Sequence, residues 1–322
     1  MDKESIFVSC METHNQPSRW EAGQEPEGLK WSQQRRLKFI DFRLRWDGRI
    51  NRNDLVEFFE ISMPQASADL SRYSEAAPDN MEYDRSAKAF LRTKFFEPAF
   101  ERSASKAYLT ELLALVTEVV EPRSSFVNWH PPVATLPVIG RQVDGGILMC
   151  LLQAIKEKRM VNVEYQSVQR PASTQRVLSP HALAHDGFRW HVRAFCHTRK
   201  KFLDYVIARM TNAIVGAQSS IAFSEDQEWH TEVVLKIGPN PHLADASRRA
   251  LEFDYSMSQG VLEVRSRHAM LFYVLLKFGL LSERHAPPVT NQLVLLNRDE
   301  LQPYLEMLFS GQTELPDSQR LL

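Results

Sequence analysis

Between Ser179 and Met210 the sequence SPHALAHDGFRWHVRAFCHTRKKFLDYVIARM carries aromatic rings, histidines and arginines on segments that alternate with a period of two. On a strand from Phe188 to Cys196, His191 and Arg193 share one face with Phe195 and His197, while Trp190, Val192, Ala194 and Cys196 share the other. A guanidinium fork binds phosphate at two points, a hydroxyl adds a hydrogen bond, and an aromatic ring stacks on a base. These residue types could therefore hold an anion. The plainer reading is that arginines on a half-exposed sheet face meet solvent or a nearby carboxylate. Trp190 is expected in the core.

Catalysis has no comparable support. The sequence contains no G-x-S-x-G turn, Walker loop, dinucleotide fingerprint or H-E-x-x-H pair, so no enzyme and no cofactor are expected. The one set with metal-ligand chemistry is His181, His185, His191, Cys196 and His197. Asp186 and Gly187 force a hairpin through it, which argues against a zinc site. A satisfied structural role fits His181 and His191 as well as a ligand contact does.

The elements that position these groups belong to a chain of 322 residues, long enough for two or three domains. Hydrophobic residues make up 43% and charged residues 25%, and no apolar run approaches the roughly 20 residues that span a bilayer. Cys10, Cys150 and Cys196 are odd in number and far apart, which fits a reducing cytoplasm better than a disulfide framework. Residues 1–29 lack the pattern of a secretory signal and are expected to form a flexible or partner-dependent tail.

Net charge is −1, yet Lys30 to Arg52 holds eight basic residues against Asp41 and Asp47. A helix over Trp31 to Trp46 ends at Asp47 and Gly48. A second, capped by Asn51 or Asn53, runs through Phe59. A third, Met63 to Tyr73, follows the Ser62 cap with Pro64 in its first turn. Three short helices with a tight second turn are the arrangement that lays the third in a major groove. Its solvent face would carry Gln65, Ser67, Ser71 and Arg72. Arg35, Arg36 and Arg49 lie nearby in the basic stretch, and Met81 to Tyr83 and Ala87 to Leu91 form a wing that brings Arg85 and Lys88 near phosphates. The plain alternative is a helical dimerisation module.

Domain boundaries follow from these patterns: a winged helix-turn-helix over 30–95, a helical linker over 96–144, a small β-barrel over 145–225 and a small α/β unit over 226–322. The linker contains a broadly apolar helix, Lys106 to Val120, and a proline-rich stretch. Barrel strands are expected at Val161 to Ser167, Ala182 to His185, Phe188 to Cys196 and Phe202 to Met210, the middle pair joined at Asp186-Gly187. The last unit reads as strands at Glu232 to Ile237 and Gly260 to Arg265, with helices at Asp245 to Leu251 and Arg267 to Gly279. Its apolar residues Leu271, Phe272, Val274, Leu275 and Leu276 are expected to form its own core. The fold class is α+β, multidomain.

The spacing Gly187, Trp190, Ala194, Cys196, then a short basic turn and a strand ending Ile207-Ala208-Arg209-Met210, resembles the WYL domain of bacterial transcriptional regulators. ISMPQASADLSRY and VEYQS resemble in particular the phage-defence regulators of that family, the BrxR and CapW groups. The chain departs at the triplet, where His191 and Val192 follow Trp190. The resemblance implies an Sm-like barrel whose pocket, built from Tyr165, Ser167, His181, Arg193 and Arg209 with His191 beside it, senses a nucleotide or nucleic-acid-like anion. It also implies a homodimeric repressor on double-stranded operator DNA, with no membrane partner. An accessory protein that binds nucleotide or single strands without operator specificity, and an RNA-binding Sm-like module, are the rivals.

Overall fold

The computed structural model describes residues 30–100, 104–136, 142–168, 172–281 and 291–310. The expected tail over 1–29 and the last residues of the chain lie outside them. The chain divides into two compact units, Met1–Ile139 and Gly140–Leu322.

In the first unit, α1 (Trp31–Asp47) ends where Gly48 takes a left-handed φ of 75° and returns its N–H to Leu44. A two-residue β1 (Arg49–Ile50) leads to α2 (Arg52–Phe59). Asn51 caps that helix in a reciprocal box, accepting from Asp54 N at 3.1 Å while its own N–H reaches Asp54 Oδ2 at 2.7 Å. Ser62 caps α3 (Met63–Ala76), and β2 (Met81–Asp84) and β3 (Ala89–Arg92) form the wing, with sheet order β1-β3-β2. Asp84 closes the wing turn by accepting from Ser86 and Ala87 N–H, so Arg85 to Lys88 form the loop and the strand begins two residues later than expected.

The helix of the expected linker, α4 (Ser105–Val116), stops four residues early and packs into this same core. Glu111 accepts from the Ser125 hydroxyl at 2.9 Å and from Phe126 N, which seats the fully buried Phe126 ring 5.2 Å from Phe39 and 5.4 Å from Phe58. Apolar burial of a ring that size stabilises by about 2–3 kcal/mol.

The second unit opens with α5 (Gly145–Glu157), capped by Asp144, whose Ile147, Leu151 and Ala154 face one way at helical spacing and are buried. Five antiparallel strands follow: β4 (Arg159–Tyr165), β5 (Thr174–His185), β6 (Trp190–Cys196), β7 (Lys201–Val206) and β8 (Met210–Gln218), in the order β7-β6-β5-β4-β8. Strands β4 and β7 are not neighbours, yet the Tyr165 and Tyr205 rings meet at 5.1 Å and Val206 N donates to the Tyr165 hydroxyl at 3.4 Å. The sheet is therefore curled. Val161, Val163, Tyr165 and Ser167 share a buried face as their alternation requires.

Two departures matter. The expected last strand breaks into β7, a 3-10 turn at Ile207–Arg209, and β8. The hairpin loop spans four residues, because His185 pairs with Trp190 and Gly187 takes φ 93°. Trp190 lies at that exposed end of its strand, 52% accessible, so it is not in the core.

A short α6 (Gln227–His230) connects the barrel to β9 (Glu232–Pro239), α7 (Asp245–Asp254), β10 (Leu262–Arg267), α8 (Leu271–Lys277), β11 (Leu293–Leu295) and α9 (Arg298–Ser310). The sheet order is β10-β9-β11. Leu271, Leu275, Leu301 and Leu305 pack on it with Val233, Leu235 and Ile237, and Val274 packs at the edge, so three of the five expected residues serve this core, while Phe272 and Leu276 stand outside the cluster. No helix among the described residues is long and apolar enough to cross a membrane.

Candidate functional site

The basic residues of the first unit divide into two groups. Arg36 is only 11% exposed and donates through Nε to Asp69 Oδ2 at 2.6 Å, so it clamps α1 to α3. Gln65 donates to both oxygens of the same carboxylate at 3.2 Å. Arg35 lies over the rings of Trp31, Phe59 and Phe126 at 5.7 to 6.0 Å, and the Ser67 hydroxyl returns to Met63 O at 3.0 Å. Those four expected DNA contacts thus have intramolecular partners. Arg49, Ser71, Arg72, Arg85 and Lys88 are exposed, on β1, α3 and the wing loop.

Asp41 fixes the pose of α3. Buried at 0%, it accepts from the Tyr73 hydroxyl at 2.7 Å and from Ala99 N at 2.9 Å, while Asn80 donates to the same hydroxyl at 3.0 Å. Burial and the neighbouring carboxylate push the Tyr73 phenol far above its ordinary range, so it stays a donor.

In the barrel the expected single pocket separates into two places. Tyr165 points into the barrel core, and Gln166 N donates to Arg209 O at 3.0 Å, which sets Ser167 and Arg209 beside each other along the chain ends of β4 and the 3-10 turn. His181, His191 and Arg193 occupy the opposite face. A bulge between Pro180 and Ala182 inserts His181 as an unpaired extra residue and re-aims its ring.

Arg193 is buried and its guanidinium meets three carboxylates: Asp226 through Nε at 2.8 Å and Nη2 at 2.9 Å, Glu228 through Nη2 at 2.6 Å, and Asp204 through Nη1 at 3.4 Å. His181 Nε2 lies 2.9 Å from Asp226 Oδ2. The plainer sequence reading, an arginine beside a carboxylate, describes Arg193. Burial acts to raise the Asp226 carboxyl, but the hydrogen bonds from Arg193 and His181 outweigh it and hold it well below the usual range. For Asp204 burial wins over Arg193 and His191, and the carboxyl is pushed up. Tyr273 of α8 donates to Asp204 at 3.4 Å, and its ring lies 5.2 Å from that of His191.

His191 is fully buried; its Nε2 contacts Asp186 at 3.0 Å, while its Nδ1 is buried without a hydrogen-bond partner. His197 Nε2 contacts Ser179 Oγ at 2.8 Å, the His185 ring lies 4.7 Å from Trp190, and Cys196 is in the barrel core. The histidines thus point to separate partners. No group of three or more His, Cys, Asp or Glu among the described residues could hold a metal.

Three family models match in chain order: the BrxR transcriptional regulator winged helix-turn-helix domain over 32–114, the WYL domain over 146–215, and the BrxR transcriptional regulator C-terminal dimerization domain over 232–301. A protein of Pseudomonas aeruginosa named DNA-binding transcriptional repressor CapW is 42% identical over 281 residues, 87% of this chain and 94% of the relative. The chain belongs to the CapW family of DNA-binding transcriptional repressors. CapW of Escherichia coli is 40% identical over the same shares, and CapW of Stenotrophomonas maltophilia is 40% identical over 86% of this chain and 93% of its own.

For a CapW-family chain, the winged helix, barrel and carboxy-terminal unit are those expected from the sequence, and the relatives bear names of regulators and not of enzymes. Sequence reasoning missed Asp204, Asp226 and Glu228. A buried arginine demands a countercharge, but the strand pairing that brings Asp204 opposite Arg193 and the turn that brings Asp226 back are tertiary facts.

Proposed function

We propose that the chain is a homodimeric, cytoplasmic repressor of a phage-defence operon, reading an inverted-repeat operator through its winged helices and an anionic, nucleotide-like signal through its barrel. The observation that carries this reading is the ordered match of winged-helix, WYL and dimerisation models in a chain about 40% identical to named DNA-binding repressors over most of its length. Two copies joined through the carboxy-terminal unit place two third helices on two half-sites.

Arg72 and Ser71 on α3 read the major groove, with Gln65 and Ser67 at its inner edge, and Arg49, Arg85 and Lys88 contact backbone phosphates. Exposure of Arg49, Arg72, Arg85 and Lys88 supports that division, whereas the clamp on Asp69 and the ring contacts give Arg36 and Arg35 a structural part. In the barrel, Arg193 and His181 supply the anion contacts and His191 supports them, while Tyr165, Ser167 and Arg209 stand apart from that face and take no direct part.

A mobility-shift assay with the DNA upstream of the protein's own gene tests the reading. Specific binding that weakens steeply with salt supports it. Equal binding to every duplex, or preference for single strands, overturns it in favour of a nucleic-acid-binding accessory protein.

A further inference from the structure

Asp226 occupies the place an incoming anion would take. Its Oδ2 accepts from Arg193 Nε at 2.8 Å and lies 2.9 Å from His181 Nε2, while its Oδ1 accepts from Arg193 Nη2 at 2.9 Å. A guanidinium fork closed by a further nitrogen is also a geometry that holds a phosphate. Glu228 and Asp204 complete a ring of three carboxylates around one guanidinium. A further anion is repelled while all three are present. Without Asp226 and Glu228, Arg193 keeps only Asp204 of these three carboxylates, at 3.4 Å.

Both removable carboxylates belong to one short strap, the 3-10 turn Phe223–Glu225 followed by Asp226 and α6, which joins β8 to β9. The strap is gripped from two sides. On the barrel side the His181 ring stacks on Phe223 at 5.4 Å and meets Trp229 edge-on at 5.6 Å. On the other side Arg267 of β10 donates to Trp229 O at 2.5 Å and lies 4.7 Å over its ring, and His268 N donates to Thr231 O at 2.8 Å.

We propose that Asp226 is a tethered occupant of an anion site built from Arg193 and His181, and that a phosphate-bearing ligand enters by displacing the strap and loosening its hold on the carboxy-terminal sheet. This rests on the reading of the barrel as an anion sensor. A group on a short tether competes at about millimolar effective concentration or above, so the strap sets a threshold that a weak or dilute anion does not pass. The ligand's apparent affinity falls with the fraction of molecules whose strap is closed. Because the strap touches β5 and β6 on one side and β10 on the other, its departure alters contacts of the dimerisation unit directly.

The test uses the full chain, inorganic phosphate as the probe with binding read by phosphorus NMR, and hydrogen exchange across 223–230 to read strap opening. Asp226→Asn keeps a side chain that caps α6 and removes the charge. It is expected to bind phosphate about tenfold tighter than the parent, with faster exchange in the strap. Adding Arg193→Met removes that gain. Glu228→Gln changes a side chain that is 49% exposed, shifts affinity in the same direction by less, and carries the test should the first variant fold poorly. If the parent binds phosphate through Arg193 and neither strap variant tightens it, the tethered occupant is refuted while anion sensing stands. If parent and folded variants all fail to bind, both ideas fall.

Discussion

Arg36 and Asp69 form a part-buried pair across the first and third helices, with Nε 2.6 Å from Oδ2 and Gln65 donating to the same carboxylate. A residue whose place in a basic stretch invites a phosphate partner is instead the countercharge of a fully buried aspartate. Arg36→Met strands that aspartate, at a cost of about 3–5 kcal/mol. Chemical denaturation measures the loss, and the double variant Arg36→Met with Asp69→Leu recovers most of it. A variant as stable as the parent but with a shallower salt dependence of DNA binding would return Arg36 to the DNA.

Arg72 and Lys88 are exposed and differ in expected role. Arg72→Ala should weaken operator binding by about 1–3 kcal/mol and relax base preference, while Lys88→Ala should weaken all duplexes alike and reduce the salt slope by about 1. Competition binding at several salt concentrations separates the two. The same slope change in both variants would place Arg72 on phosphate.

What the sequence disclosed and what it hid divide along a physical line. The winged helix was legible because its signals are local: Asn51 and Ser62 cap, Gly48 terminates, and Asp84 closes the wing turn. The buried face Val161, Val163, Tyr165, Ser167 was legible from alternation alone. Arg193 was legible as an unusual residue but its partner was not, because Asp226 lies 33 positions away beyond two strands and a turn. His191 and Arg193 do share a face, yet that face packs against α8 and the strap, so alternation placed the side chains without revealing what covers them. Phe126 escaped for the same reason: nothing near it in sequence says that a segment rich in proline returns to the core of the domain before it.

Trp190 and Val192 separate the end of a strand from its middle. Trp190 is 52% exposed and rests against His185, whereas Val192 is fully buried in the barrel. Trp190→Ala should therefore cost under about 1 kcal/mol. Val192→Ala removes two buried methyl groups and should cost about 2 kcal/mol. Thermal unfolding of the two variants checks the order, and a larger loss at Trp190 would mean that the ring is covered in solution, as a partner subunit would cover it.

Asp186 gives the fold a defined response to acid. Burial acts to raise its carboxyl, but hydrogen bonds from His191, from the Arg189 and Phe188 N–H groups and from the Arg189 guanidinium hold it well below the ordinary range. A carboxyl lowered in the folded state contributes stability that is complete above its unfolded value, about 3.9, and is lost as pH falls through the lower folded value. Asp226 acts with the same sign, and the raised Asp204 acts against both. Unfolding free energy should therefore fall from about pH 5 towards pH 3. Asp186→Asn should lower stability at pH 7 and flatten that acid limb, since the group that titrates is gone while the hairpin remains. An unchanged slope in the variant would show that the loop and the His191 contact at 3.0 Å do not lower the Asp186 carboxyl below its unfolded value.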